Sequence, residues 1–196
     1  MSRNLRRMLI AFVISATCYA ATWFFFGDHR LGDGKFSPAM AMLRESVNEV
    51  QRKQLRRVIW ENISKNEELH AGEAIRTSAN SEAHIIITKN HASIHLEPDS
   101  LVVLEENENG LTLDFLQGNM MVAGGSGDMT VKTGSGEIKM NAADMNLSKD
   151  QSGQVNLELL KGNAQLQQGG QSVALEKDKA AVMSEKGVSV TKDRLQ

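Results

Sequence analysis

From Val58 onward the sequence predicts an all-β fold, a twisted solenoid-like or sandwich-like stack of short antiparallel strands. One transmembrane helix and a short amphipathic stalk helix are expected to precede it. Two observations predict the strands. Apolar residues alternate with polar ones in short runs broken by Asn, Gly, Pro and Asp, as in EAHIIITKNHASIHLEPDSLVVLEENENGLTLDF, and that alternation marks strands with one buried and one wet face. In addition, one phrase occurs twice, LDFLQGN at 113–119 and LELLKGN at 157–163, 44 positions apart. The helix at the start is predicted by a third observation, an uncharged apolar run near the N-terminus.

That run, Met8–Phe26, is 19 residues long and follows a tail, residues 1–7, with three arginines and no acid. About 20 apolar residues cross a bilayer as a helix, and Trp23 with three phenylalanines suits the interfacial belt. All 24 acidic residues but only 19 of the 22 basic ones follow the run, a net of −5. This asymmetry places the N-terminus in the cytoplasm and the remainder outside. Two other readings compete. CYA resembles a small-x-small cleavage site, but the apolar stretch continues through TWFFF; Cys18 as an acylation site lacks the large aliphatic residue usual three positions earlier in SATC. As the only cysteine, Cys18 cannot form an internal disulfide or build a cysteine zinc site.

Residues 27–36 are a glycine-rich polar linker. SPAMAMLRESVNEVQRKQLRR then predicts a helix over 38–57, with Ser37 as cap, Pro38 in the first turn and Met40, Leu43, Val47 and Val50, extended by Leu55, at helical spacing. The basic residues Arg52, Lys53, Arg56 and Arg57 suit either a helix C-terminus or lipid headgroups. The expected divisions are therefore 1–7, 8–26, 27–57 and a β domain over 58–196.

Within the β domain the repeat extends beyond the quoted phrase. A shift of 44 brings Ile94 and Leu96 onto Ile138 and Met140, and Leu101 and Val103 onto Met145 and Leu147. It also brings Leu111, Leu113 and Phe115 onto Val155, Leu157 and Leu159, and Gly118 onto Gly162. An incomplete third copy places Val173 and Leu175 where Ile94 and Leu96 stood, and GVSV at 187–190 where GLTL stood. The inward apolar pattern and a turn glycine recur, whereas Asp114 and Glu158 face outward. A unit that cannot cover its own apolar face is covered by a stacked neighbour, and a glycine at the corner admits φ > 0. The repetition is architecture.

With these units laid out, the chain resembles the FecR-type periplasmic domain. ELHAGEAIRTSANSEAHIII supplies Leu69, Gly72, Glu73, Ile75, Thr77, Ser81 and Ala83 of that pattern; SIHLEPDSLVVLEE supplies Leu96, Pro98, Ser100 and Leu101; LTLDFLQGNMMV and VNLELLKGNAQL follow. The resemblance covers about Val58 to Val190. It implies an all-β domain on the outer side of the cytoplasmic membrane. Founding members of the family are sensor-regulators of iron-siderophore uptake, with a cytoplasmic anti-sigma segment, one span and a periplasmic half that contacts an outer-membrane receptor. This sequence departs from them in its seven-residue tail, in MNAADMNLS where the family has V-x-G-T-x-F-x-V, and in ending at Gln196. The fold is expected to carry over, and sigma-factor regulation is not.

No catalytic, cofactor-binding or metal-ligating residue is expected. His91 and His95 would lie roughly 13 Å apart on an extended strand, and with His84 they suit a wet strand face unless KNHA turns. No serine occupies a recognisable nucleophile turn. VAGGSGDMTVKTGSGE lacks the strand-to-helix context and the Lys-Ser/Thr of a phosphate loop; it is expected to be a hairpin loop, and EENENG a charged turn. Sparse aromatics, 5% of the chain, and the acidic outer part exclude nucleic acid. The expected function is a single-pass module of the bacterial inner membrane, held through Met8–Phe26. Its periplasmic domain would receive an envelope protein on its sheet edges for interaction or signal relay. Two alternatives stand beside it. One is a lipid-transfer component of the LptC type, whose jellyroll would hold acyl chains against Met120, Met121, Met129, Met140 and Met145; the other is a scaffold within a larger envelope machine.

Overall fold

The computed structural model describes residues 12–13, 15–19, 38–55, 57–107, 110–185 and 187–191. The chain divides into two units, Met1–Ser37 and Pro38–Gln196. Most of the expected span at 8–26 lies outside the described residues. The described ones, 12–13 and 15–19, are helical, with the Thr17 hydroxyl donating to the Val13 carbonyl at 2.9 Å. Among the described residues no helix is long and apolar enough to cross a membrane.

The second unit is β throughout. Its strands are β1 (Ala41–Val47), β2 (Val50–Lys53), β3 (Glu61–Asn62), β4 (Glu67–Leu69), β5 (Ala74–Thr77), β6 (Glu82–Ile87), β7 (Ser93–Leu96) and β8 (Leu101–Asn107). They continue with β9 (Gly110–Ala123), β10 (Asp128–Lys132), β11 (Glu137–Lys149), β12 (Val155–Gln168), β13 (Gln171–Leu175), β14 (Lys179–Ser184) and β15 (Gly187–Thr191). Among the described residues of 38–57 the expected stalk helix is absent: the segment forms β1 and β2 instead. The helical spacing of Leu43, Val47 and Val50 arises because a register shift between Leu43 and Glu45 and a left-handed Asn48 (φ 56°) interrupt the period of two. Val47 itself is exposed.

Three strands are not short. β9, β11 and β12 have 14, 13 and 14 residues, and each pairs with different neighbours along its two halves. Followed half by half, the pairings form two ladders. The first runs β4–β1–β6–β7, then the second halves of β9 and β11, the first half of β12, β14 and β15. The second runs β3–β2–β5–β8, then the first half of β9, β10, the first half of β11, the second half of β12, and β13. All these pairs are antiparallel except β9–β10; β10 follows β9 only after the loop through Gly124, Gly125 and Gly127 brings the chain back to start in the same direction. Both ladders close on one core, with Ile85, Leu96, Met120 and Leu157 from the first and Ile75, Leu104, Leu113 and Ile138 from the second, all at most 1% exposed.

The duplication is visible as register. Ser93 opposite Ala123 and Leu96 opposite Met120 become, after a shift of 44, Glu137 opposite Gln167 and Met140 opposite Ala164. Leu113 lies between Leu104 and Val131; Leu157 lies between Leu147 and Ala181. The third copy is present too, with β13, β14 and β15 in the roles of β7, β8 and the start of β9.

Candidate functional site

Where the chain passes from one ladder to the other it turns a corner, and the corners line up. Left-handed residues mark them: Asn48, Asn80, Asp99, Ala142 and Asp178, with φ between 44° and 60°. Four of these are Asn or Asp, the non-glycine types that tolerate that region best. Gly118 (φ 93°) and Gly162 (φ 83°) do the same within β9 and β12. Each is also packed against backbone: a Cβ on Gly118 would stand 2.5 Å from the Ser100 Cα, and one on Gly162 2.5 Å from the Ala142 carbonyl oxygen.

Buried hydroxyls pin the corners together. Thr77 Oγ1 donates to the Glu97 carbonyl at 2.6 Å and accepts from the Ser100 amide at 3.0 Å. Ser100 Oγ accepts from the Asn119 amide at 3.0 Å and donates to the Asn119 carbonyl at 2.9 Å. Ser81 Oγ accepts from the Glu49 amide at 3.1 Å, and the Asn48 side-chain amide donates to the Asn80 carbonyl. Glu73, 4% exposed, accepts from the His70 amide at 3.0 Å. Buried polar groups need such partners, so Glu73, Thr77, Ser81 and Ser100 hold the frame.

The outer faces are different. On the first ladder His84 and His95 are cross-strand partners, their ring centroids 6.4 Å apart. His84 Nε2 is 2.7 Å from Ser93 Oγ and His95 Nε2 is 3.5 Å from Glu82 Oε2. With Glu45, Val47 and Met121 they border a groove of about 300 Å³. His91 sits apart, left-handed in the turn between β6 and β7, and so does not share the strand face expected for it with His95. Among the described residues no group of three or more His, Cys, Asp or Glu could hold a metal ion.

The second ladder carries a larger groove, about 980 Å³, which ends at β13. Its floor is polar, with Thr112, Thr130, Lys132, Lys139 and Gln165, and Ala174 and Leu175 form one side. Lys132 Nζ lies 2.9 Å from Glu105 Oε2, and that hydrogen bond raises the Lys132 pKa. Asp114 titrates above the usual aspartate range, chiefly because burial disfavours its charge and secondarily because Glu105 stands near. Beside this groove the β13 edge (QSVAL) has no partner beyond β12 among the described strands. The edge of the other ladder at the same end, β15 (GVSVT), pairs only with β14. Neither carries a charge. The opposite edges are two-residue β3 and three-residue β4, with Glu61, Glu67 and Glu68.

Residues 73–165 match the model of the family described as FecR protein. Over this segment the chain is similar to the FecR family. The segment contains the pinned corners from Glu73 to Gly162. Of the motif residues recognisable in the sequence, Glu73, Thr77, Ser81 and Ser100 help to make them, while Ile75, Ala83 and Leu96 lie in the core. Two crystal structures of a "putative anti-sigma factor" from Parabacteroides distasonis ATCC 8503 share the fold, with TM-scores of 0.54 and 0.53 at 10% and 8% identity. Each match takes in 61% of this chain and 59% of the other, less than two thirds of that protein's length. No curated protein matches the sequence. Sequence reasoning missed the groove beside β13, because its floor is assembled from four strands whose neighbours are fixed only by the fold; the uncharged edge strands were its one visible signal.

Proposed function

We propose that this protein is a membrane-anchored FecR-like signal-relay module of the cell envelope, without catalysis, whose β domain takes up a protein partner at the β13–β15 end. The observation that carries the reading is the asymmetry of the edges. An uncharged five-residue edge with open backbone groups is a template for strand addition, whereas very short or charged edges discourage it. The groove beside β13 would give an added strand a polar wall for its alternate side chains. The similarity to the FecR family supports a regulatory role, and the neighbours described as anti-sigma factors point the same way.

The anchor is the apolar stretch 8–26, with the β domain on the periplasmic side and the arginine-bearing tail in the cytoplasm; the charge asymmetry of the sequence supports this placement. Protease added to spheroplasts should then digest the β domain while leaving cytoplasmic markers intact, and protection of the domain would overturn the placement. The lipid-transfer alternative needs a lining free to receive acyl chains. Met120, Met129, Met140 and Met145 are at most 4% exposed, packed among Leu and Ile of the core, and Met121 faces outward. An acyl chain would have to part these side chains.

A further inference from the structure

The β2–β3 connection differs from every polar turn of the domain. Val58 is 89% exposed, Ile59 67% and Leu55 66%, three large apolar side chains within five positions. Behind them stands Trp60, half-buried, with the Arg76 guanidinium carbon 4.2 Å and the Lys53 ammonium 5.2 Å from its ring centre. Arg57, also exposed, is 3.1 Å from Glu61, and Arg52 lies 3.5 Å from Glu67. These acids engage the arginines at the surface, where such pairs are weak, and Lys53 remains directed at the tryptophan. An apolar tip backed by cations and an aromatic ring is the composition of segments that lie in a lipid interface.

Its position is equally specific. Leu55 lies over Gly72, where a Cβ would be 3.0 Å from Leu55 Cδ2. Three residues earlier, Leu69 pairs with Ala41 and its carbonyl accepts from the Met40 amide at 2.8 Å. The loop therefore sits beside the strands with which the described part of the β domain begins.

We infer that Leu55 and the segment 57–60 form a membrane-interface anchor, placing Val58 and Ile59 at the acyl boundary of an anionic leaflet while Lys53 and Arg57 meet phosphate headgroups. Placement at a bilayer rests on the reading of 8–26 as a membrane anchor, and the two are separable by experiment. The full chain, carrying Cys18→Ser and Val58→Cys, is labelled with an environment-sensitive fluorophore and reconstituted into vesicles of phosphatidylcholine with or without phosphatidylglycerol. The label should shift to the blue and be quenched by shallow spin-labelled lipid when phosphatidylglycerol is present. A label at Val190→Cys should do neither. Arg57→Glu and Lys53→Gln should each weaken the quenched population roughly fivefold, and Ile59→Asp should abolish it, with circular dichroism unchanged. Flotation of the chain reports the anchor at 8–26 independently. A chain that floats with an unquenched Val58 label overturns the loop assignment and leaves the anchor standing; a chain that does not float overturns both. Protection of the label that depends on protein concentration instead of lipid assigns the loop to a second copy and likewise overturns the proposal.

Discussion

At the scale of single residues, the fold depends on corners. Gly118 and Gly162 combine a left-handed backbone with contact distances that no Cβ accepts. Replacing either with alanine should cost about 2–4 kcal/mol, from backbone strain and overpacking together. Gly153 has a similar φ of 82° but open space around it, so Gly153→Ala should cost about 1 kcal/mol. Urea denaturation of the three variants separates the two terms. Ser100→Ala strands the amide of Asn119, whose carbonyl keeps the Glu97 amide as donor, and should cost about 1–3 kcal/mol by the same assay. Asp114 supplies a pH signature. Its folded pKa is raised above the ordinary 3.8, so the folded state holds the proton more tightly, and stability falls as pH rises from 3.8 through the raised value. Asp114→Asn should therefore melt higher than the parent at neutral pH, and the gap should close below pH 3.8; a constant gap would refute the assignment. The corner residues were legible as spacing, since Thr77, Ser81, Ser100 and Gly118 fit the family pattern. The turn role of Gly118 was legible as well, but that of Thr77, Ser81 and Ser100 was not, because each hydroxyl bonds to a segment remote in sequence.

At the scale of elements, the alternation of apolar residues placed β6, β7, β8 and the start of β9 well. It failed at β1 and β2, where a bulge and a corner shifted the phase until it imitated a helix. The lesson is general to bent strands: a bulge inserts one residue and moves later side chains to the other face. The parallel β9–β10 pair was equally hidden, since local pattern carries no direction. The edges make their own prediction. Ser172→Lys on β13 and Val190→Lys on β15 lie on exposed positions and should alter stability by less than about 0.5 kcal/mol. A charge on an open edge opposes strand addition, so partner co-purification should fall sharply while the melting curve is retained.

At the scale of the whole molecule, three related units share one core, and each covers the apolar face of the next. The duplicated phrase at 113–119 and 157–163 foretold this arrangement, and the matching registers of β9 and β12 realise it. What the units leave open is their final edge, at β13 and β15, and on our account that is where a partner binds. Site-specific photo-crosslinking in growing cells tests this most directly, with the crosslinker placed at Ser172, Val190 and, as control, Glu68 on β4. The account predicts one protein captured from Ser172 and Val190, lost when Gln171 on the same edge is changed to lysine, and nothing captured from Glu68. Capture of the same protein from Glu68, or from none of the three positions, would contradict it.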